Sequence, residues 1–442
     1  MATDPVPDRG RTVRESNRLR ERAAELVPRG SQTMSKRPGT LVEGVSPSHI
    51  EHAEGCRIRD VDGNEYIDFN MALGPIVLGY SYPAVETAVE EQLEDGTVFP
   101  LEHPLQVEVA ELLTGMVPTA EMVQFAKNGN DVTTLAARVA RAHTGRDVIA
   151  TYGYHGWPDV WTAGSAQDAG VPDRLAEYTE EFDLDDPASL EAVFRDHEDD
   201  VAAVVMRPLH GGHEAPPEGT YDRIRELCDR EGALLVLDEI YSGFRYAPGG
   251  AQEHFGIEPD LSCFAKGISN GYPLSALVGR EAVMRTMERE DFFFSATYAG
   301  EAASLAAAKA TLEEMQQEDV SGHIWEVGVQ FREGYNGLAR DHGLSDVTEC
   351  VGLGPSVEIT FESAGGAAAN TVESLFMQEA HRRGVFYSGH QFCYSHSAAD
   401  IEEALSVYDE AMAVLASAIR DGDVEGRLDG PPMGANVTAW SS

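Results

Sequence analysis

Two stretches of the chain place a reactive side chain where such a group is costly. Leu234-Leu-Val-Leu leads an apolar run into Asp238, and Leu261-Ser-Cys-Phe-Ala leads another into Lys266, which a glycine-rich turn follows. A carboxylate or an ammonium taken out of water is unfavourable unless something of opposite charge meets it. Desolvation also lowers a lysine's pKa, and the neutral amine is the form that bonds to a carbonyl carbon. Asp238 by itself fits a helix cap or a metal ligand as well as a counter-ion. Lys266 has few competitors, since the chain holds only three other lysines. Lys309 lies in an alanine-rich helical stretch and reads as a solvated face residue. Lys36 sits in a polar loop beside Arg37, and Lys127 adjoins an Asn-Gly-Asn turn within reach of a phosphate.

Two more features belong with these. Met122 to Ala126 reads as a strand running into Lys127-Asn128-Gly129-Asn130-Asp131, with a helix from about Val132. A strand, a glycine turn and a helix start offer free backbone N–H groups and the helix dipole to an anion. The same turn also fits a plain helix cap. Tyr154-His155-Gly156-Trp157 follows a strand at Val148 to Tyr152 and brings aromatic rings to the same level, with Trp157 reading as a packing residue.

These groups need a scaffold, and the middle of the chain supplies one. Short apolar runs suited to buried strands fall at Met122 to Ala126, Val148 to Tyr152, Val201 to Met206, Leu234 to Leu237, Leu261 to Ala265 and Ser275 to Val278. Helical patterns alternate with them at Val132 to Ala142, Ser189 to His197 and Tyr221 to Glu231. Such alternation predicts an α/β fold with a mainly parallel sheet flanked by helices, and ligands beyond the strand C-termini. Arg57 to Phe69 reads as a hairpin turning at Asp62-Gly63, and Gly300 to Met315 as a long helix leaving the sheet. Beyond about Val327, helices mix with short strands at Ser356 to Phe361 and Val385 to Tyr387, and an amphipathic helix near Ala399 to Ile419 closes the pattern. The expected division is a segment 1–70 joining a smaller α+β domain, a large domain 71–325, the rest of the small domain 326–420, and a loose tail 421–442.

Composition narrows the class. The 442 residues are 42% hydrophobic, enough to fill two or three cores. Acidic residues outnumber basic ones 75 to 33, a net charge of −42. Such a surface repels nucleic acid and anionic lipid, so neither is expected as a partner. It resembles the surfaces of proteins from high-salt cytoplasm, where salt screens self-repulsion. No apolar run reaches the ~18 residues of a membrane helix, and Met1 to Glu25 lacks the apolar core of a secretory signal. A cytoplasmic protein is expected. Five cysteines at 56, 228, 263, 350 and 393 have no paired spacing and read as reduced, buried thiols, and no metal is expected.

An amine, a carboxylate, an anion cradle and an aromatic face are together what one cofactor requires. Pyridoxal 5′-phosphate takes a lysine on its aldehyde, a carboxylate that keeps its ring nitrogen protonated, a phosphate cradle and a ring to stack on. Leu237-Asp-Glu-Ile-Tyr-Ser-Gly-Phe-Arg245, Gly256-Ile-Glu-Pro-Asp260 and Lys266 resemble, at the same spacing, the signature of the class III aminotransferases, pyridoxal-phosphate enzymes of fold type I. The resemblance runs from about Leu26 to Ile419 and includes Asp62-Gly-Asn-Glu-Tyr-Ile-Asp-Phe69 and Leu73-Gly-Pro-Ile-Val-Leu-Gly79. It implies that Lys266 holds the cofactor as a Schiff base, that Asp238 meets the pyridine nitrogen, and that Ile240 and Tyr154 cover the two ring faces with His155 close by. It also implies that Asn128, Gly129 and Asn130 form the phosphate turn, and that the chain is a homodimer in which Thr297 reaches the other subunit's cofactor. The implied activity is transfer of an amino group from a small-molecule donor to a carbonyl acceptor through a pyridoxamine form.

Within the class the chain is most similar to glutamate-1-semialdehyde 2,1-aminomutases, whose intramolecular transfer is the alternative outcome. Four departures from that pattern mark the substrate side: Lys36 in place of an arginine, Arg207-Pro208 for Glu-Pro, Lys127-Asn-Gly-Asn-Asp131 for Asn-Ser-Gly-Thr-Glu, and Glu301 for an asparagine. Lys36, Arg207 and Glu301 are therefore the candidate substrate residues. Other readings carry less, among them a non-catalytic binder of the same fold, which the presence of both Lys266 and Asp238 argues against. Gly267-Ile-Ser269-Asn-Gly271 matches the serine-hydrolase elbow, but Pro273 and an apolar run follow where the elbow needs a helix. His210-Gly-Gly-His213 offers two histidines without a third ligand.

Overall fold

The computed structural model describes residues 11–434. These fall into two compact units, a central one of Ala72–Leu78 and Tyr82–Trp325, and a terminal one formed by the chain up to Met71, by 79–81 and by the stretch from Glu326 onward.

The terminal unit contains β1 (Ile50–Glu54), β2 (Arg57–Asp60) and β3 (Glu65–Asp68), an antiparallel meander. Asp60 fixes the turn between β2 and β3, its Oδ1 accepting from the amides of Asp62 and Asn64.

The central unit is built on a seven-stranded sheet of β4 (Met122–Ala126), β5 (Val148–Tyr152), β6 (Thr179–Glu181), β7 (Val201–Met206), β8 (Leu234–Asp238), β9 (Leu261–Phe264) and β10 (Ser275–Gly279), in the order β4-β10-β9-β8-β7-β5-β6. Only β10 runs against the rest. The inner strands are apolar throughout because both faces are covered, and successive residues point opposite ways. Ala203, Val205 and Val236 face the core under helix Gly129–Thr144. Val204, Met206, Leu235 and Leu237 face a second core under helices Pro187–Asp196 and Thr220–Glu231. Each large side chain so buried contributes about 1.5–3 kcal/mol of hydrophobic stabilisation before its entropy cost.

The later part of the terminal unit adds β11 (Thr348–Leu353), β12 (Ser356–Phe361), β13 (Val385–Phe386) and β14 (His390–Gln391). β13 extends the first meander in parallel with β3, whereas β11, β12 and β14 form their own antiparallel sheet. Helices Ala369–Arg383 and Ala398–Asp421 pack around a buried aromatic set that includes Phe331, Tyr335, Phe376 and Tyr408. The expectation of a loose tail after 420 needs correction over 421–434. Val424 and Met433 are buried, the Asp429 amide donates to Gln378 Oε1 at 2.8 Å, and Asn370 Nδ2 donates to the Met433 carbonyl at 2.9 Å. Glycine and proline there shape a packed return of the chain, and 435–442 lie outside the described residues. Among the described residues no helix is long and apolar enough to cross a membrane.

Candidate active site

Parallel strands end on one edge of their sheet, so the residues that follow them share a face. β8 ends in Asp238 and β9 leads to Lys266, β7 to Arg207, β5 to Tyr154 and His155, and β4 to Asn128, Gly129 and Asn130. All of these, with Ile240 and Tyr241, line one cavity of about 390 Å³, a volume suited to a small molecule.

Asp238 is buried at 4% exposure. Its Oδ1 accepts from the Ile240 amide at 3.0 Å, and its Oδ2 lies 2.7 Å from His155 Nδ1. An ionised carboxylate only accepts, so His155 Nδ1 carries the proton, and each oxygen keeps a lone pair for a further donor. His155 is itself held, its carbonyl accepting from Thr133 Oγ1 at 2.7 Å and its ring packed 5.0 Å from that of Trp161.

Lys266 stands where the chain breaks from β9 into the short turn Lys266–Ser269. Its φ of +48° lies in the left-handed region, a conformation costing a non-glycine residue about 1–2 kcal/mol. Strain of this kind persists where the surrounding structure fixes it, commonly at functional sites. The ammonium makes no hydrogen bond among the described residues and lies 5.0 Å from the centroid of the Tyr241 ring. Burial, with the nearby Arg207 and Arg245 guanidinium groups acting the same way and Asp238 against them, brings its pKa down to about 8.

The candidate anion cradle is the start of helix Gly129–Thr144, where the Gly129 and Asn130 amides have no acceptor within the helix, whereas the Asp131 amide donates to the Asn128 carbonyl at 3.0 Å. Asp131 closes the turn by accepting from the Asn128 amide at 2.8 Å. Gly129 packs closely against Ile240, since a Cβ there would fall 2.7 Å from Ile240 Cδ1. An amine without a partner, a carboxylate with lone pairs to spare and a helix start with open amides, all on one cavity, fit pyridoxal phosphate.

Three expected residues lie elsewhere. Glu301 is no part of the cavity wall. Its carboxylate caps helix Ala302–Gln317 through the amides of Ala303 and Ser304 and pairs with Lys127 Nζ at 3.0 Å. The expectation of a substrate role, drawn from its departure from the aminomutase pattern, meets here a carboxylate whose two oxygens already accept from Ala303, Ser304 and Lys127. Lys127, for its part, donates to Glu301, Ser304 Oγ and the Pro273 carbonyl. Thr297 is exposed and outside this cavity wall, and Lys36 is an exposed residue of the terminal unit. Ser269, the hydrolase candidate, is fully buried, donates to the Tyr272 carbonyl and is followed by β10, so no nucleophile elbow forms.

Tyr241 is a cavity residue that the type-by-type reading passed over. One position beyond Ile240, its ring has Lys266, Arg207 and Arg245 within about 6 Å of its centroid, the range of a cation–π contact. Alternation beyond the strand end was the available signal.

Comparison with known proteins agrees with this geometry. The family model described as Aminotransferase class-III matches residues 42–421. A 3-aminobutyryl-CoA aminotransferase from Cloacimonas acidaminovorans is 34% identical over 405 residues, covering 89% of this chain and 96% of that protein. A glutamate-1-semialdehyde 2,1-aminomutase from Halorubrum lacusprofundi is 32% identical over 447 residues, covering 90% and 99%. Among solved structures, the FumI protein of Sphingopyxis sp. MTA144 with pyridoxal phosphate superposes with a TM-score of 0.85 at 30% identity, covering 95% of this chain and 98% of that one. The chain belongs to the class-III aminotransferase family. Its fold is that of the type I pyridoxal-phosphate transferases, and pyridoxal 5′-phosphate is its cofactor.

Proposed function

We propose that this enzyme moves an amino group between two small molecules, an amine donor and a carbonyl acceptor, with Lys266 and Asp238 as its catalytic residues. The observation that carries the reading is an unpartnered, pKa-lowered amine on Lys266 sharing one cavity with the buried carboxylate of Asp238. When bound, the cofactor supplies a protonated ring that accepts the electron pair released as a proton leaves the substrate carbon. Asp238, held by His155 and the Ile240 amide, keeps the ring nitrogen's proton in place. Lys266 Nζ carries the proton away from the substrate carbon and returns it elsewhere, a task suited to a base with a pKa near 8. Asn128, Gly129 and Asn130 take the phosphate, and Ile240 and Tyr154 flank the ring.

A homodimer is part of this reading. Thr297 is exposed on a stretch that also shows Phe293 and Tyr298 to solvent at 69% and 60%, surface that a second copy of the chain would cover. The five free, buried cysteines support a reducing, cytoplasmic setting.

Intermolecular transfer is preferred over the mutase outcome because the cavity wall carries Arg207, a cation absent from the aminomutase pattern. The test is to mix holoprotein with single amino donors and no acceptor. Transfer predicts one equivalent of keto product per site and loss of the visible band. Isomerisation of glutamate-1-semialdehyde with no keto product would assign the mutase instead.

A further inference from the structure

We infer that Arg207 is the residue that fixes which amines this enzyme accepts, by gripping a carboxylate on the substrate. The inference rests on the aminotransferase reading and names the substrate class for it: amines that carry a carboxylate, as amino acids do. Several arginines around the central sheet meet an acid, as Arg223 meets Glu191, Arg225 meets Asp260 and Arg285 meets Glu281. Arg207 does not. Its guanidinium makes no hydrogen bond and no ion pair among the described residues, although the chain carries 75 acidic side chains. It lies instead along the cavity wall, with its Cζ 5.9 Å from the Tyr241 ring centroid.

The wall leaves room for it there. A Cβ on Gly153 would fall 2.9 Å from Arg207 Cδ, and one on Gly212 would fall 2.6 Å from Nη2. The side chain thus threads between two positions where glycine leaves room, with Tyr241 against it. A guanidinium offers its donors as a planar fork, the geometry that suits bidentate capture of a carboxylate.

Charge balance points the same way. The cavity is lined by Lys266, Arg207 and Lys127 against Asp238, and Lys127 is already neutralised by Glu301. Once Asp238 faces a protonated ring nitrogen, Arg207 is left needing an anion. The cofactor's phosphate has its own cradle at Asn128–Asn130, which packs on Ile240, whereas Arg207 is on the Tyr241 side.

The test uses propionate, a carboxylate with no amine, titrated into the holoenzyme at fixed ionic strength while the visible band is followed. Wild type should bind it, Arg207→Gln should bind at least ~10-fold more weakly, as expected for a charge-assisted pair, and Arg207→Lys should recover part of the loss. Cofactor content should be unchanged in both variants. Equal affinity in wild type and Arg207→Gln, or no binding to wild type, would overturn the assignment. Loss of cofactor from Arg207→Gln would also overturn it, by giving the guanidinium to the cofactor's own anion. Because the titration reads no turnover, it stands apart from failure of the aminotransferase reading, which the donor assay detects.

Discussion

Lys127 and Lys266 stand just past the ends of two strands of the same sheet, β4 and β9, yet they differ in almost everything that governs reactivity. Lys127 is satisfied three times over, by Glu301, by Ser304 and by the Pro273 carbonyl, and is an ordinary structural cation. Lys266 makes no hydrogen bond among the described residues, has a backbone in the left-handed region, and carries a pKa brought down to about 8. Position at a strand end is therefore insufficient to make a lysine reactive. Partner groups decide, since a carboxylate at contact distance holds an ammonium charged, whereas burial beside other cations favours the neutral amine.

The contrast is broken most severely by Lys266→Ala. Turnover should fall by at least ~10⁴-fold, since the nucleophilic and proton-carrying roles vanish together. The same change should leave the melting temperature of the cofactor-free protein unchanged or higher, because it removes an ammonium that burial penalises. A pH comparison sharpens this point. With a folded pKa of about 8 against an ordinary 10.5, the unfolded chain binds more protons between those values, so Lys266 makes wild-type stability rise with pH through that window. Lys266→Ala should lack that component when melting temperatures at pH 7.5 and 9.5 are compared.

Asp238→Asn comes next. It removes the fixed charge proposed to meet the ring nitrogen, and a loss on the order of 10²–10³-fold in kcat is expected with the fold intact. The smallest effect belongs to Lys127. In a double-mutant cycle of Lys127→Met and Glu301→Gln, the coupling should be about 1–2 kcal/mol in stability, with turnover within about threefold of wild type. A large activity loss from Lys127→Met, with stability unchanged, would erase the distinction between the two lysines.

Much of the scaffold was legible because buried parallel strands leave an unmistakable trace. β4, β5 and β7 run over the very residues that the apolar runs mark, and their alternate faces fill two separate cores. β6 escaped notice because Thr179, Glu180 and Glu181 form a polar edge strand with no such run. Helix Pro83–Asp95 escaped for a related reason, as only Val85 and Val89 of its residues are buried. At the site, Asp238, Lys266 and the glycine turn could be read because each sits where its type is costly or its backbone unusual. The pairing of Lys127 with Glu301 could not, since the partners are 174 positions apart and no local pattern links them. Two departures from the family pattern, each of which looked like a change in the substrate pocket, turn out to be one ion pair. Arg207, by contrast, was visible as a departure, and the role proposed for it rests on the fold showing no acid beside it.

The claim on which the account rests is that Lys266 is the residue bonded to the cofactor. Borohydride reduction of the holoprotein, digestion and mass mapping of the pyridoxyl label tests it directly, and the chain offers only four lysines to choose among. The account predicts a single labelled peptide containing Lys266. A label on Lys36, Lys127 or Lys309, or no label on a protein that retains its visible band, would contradict it.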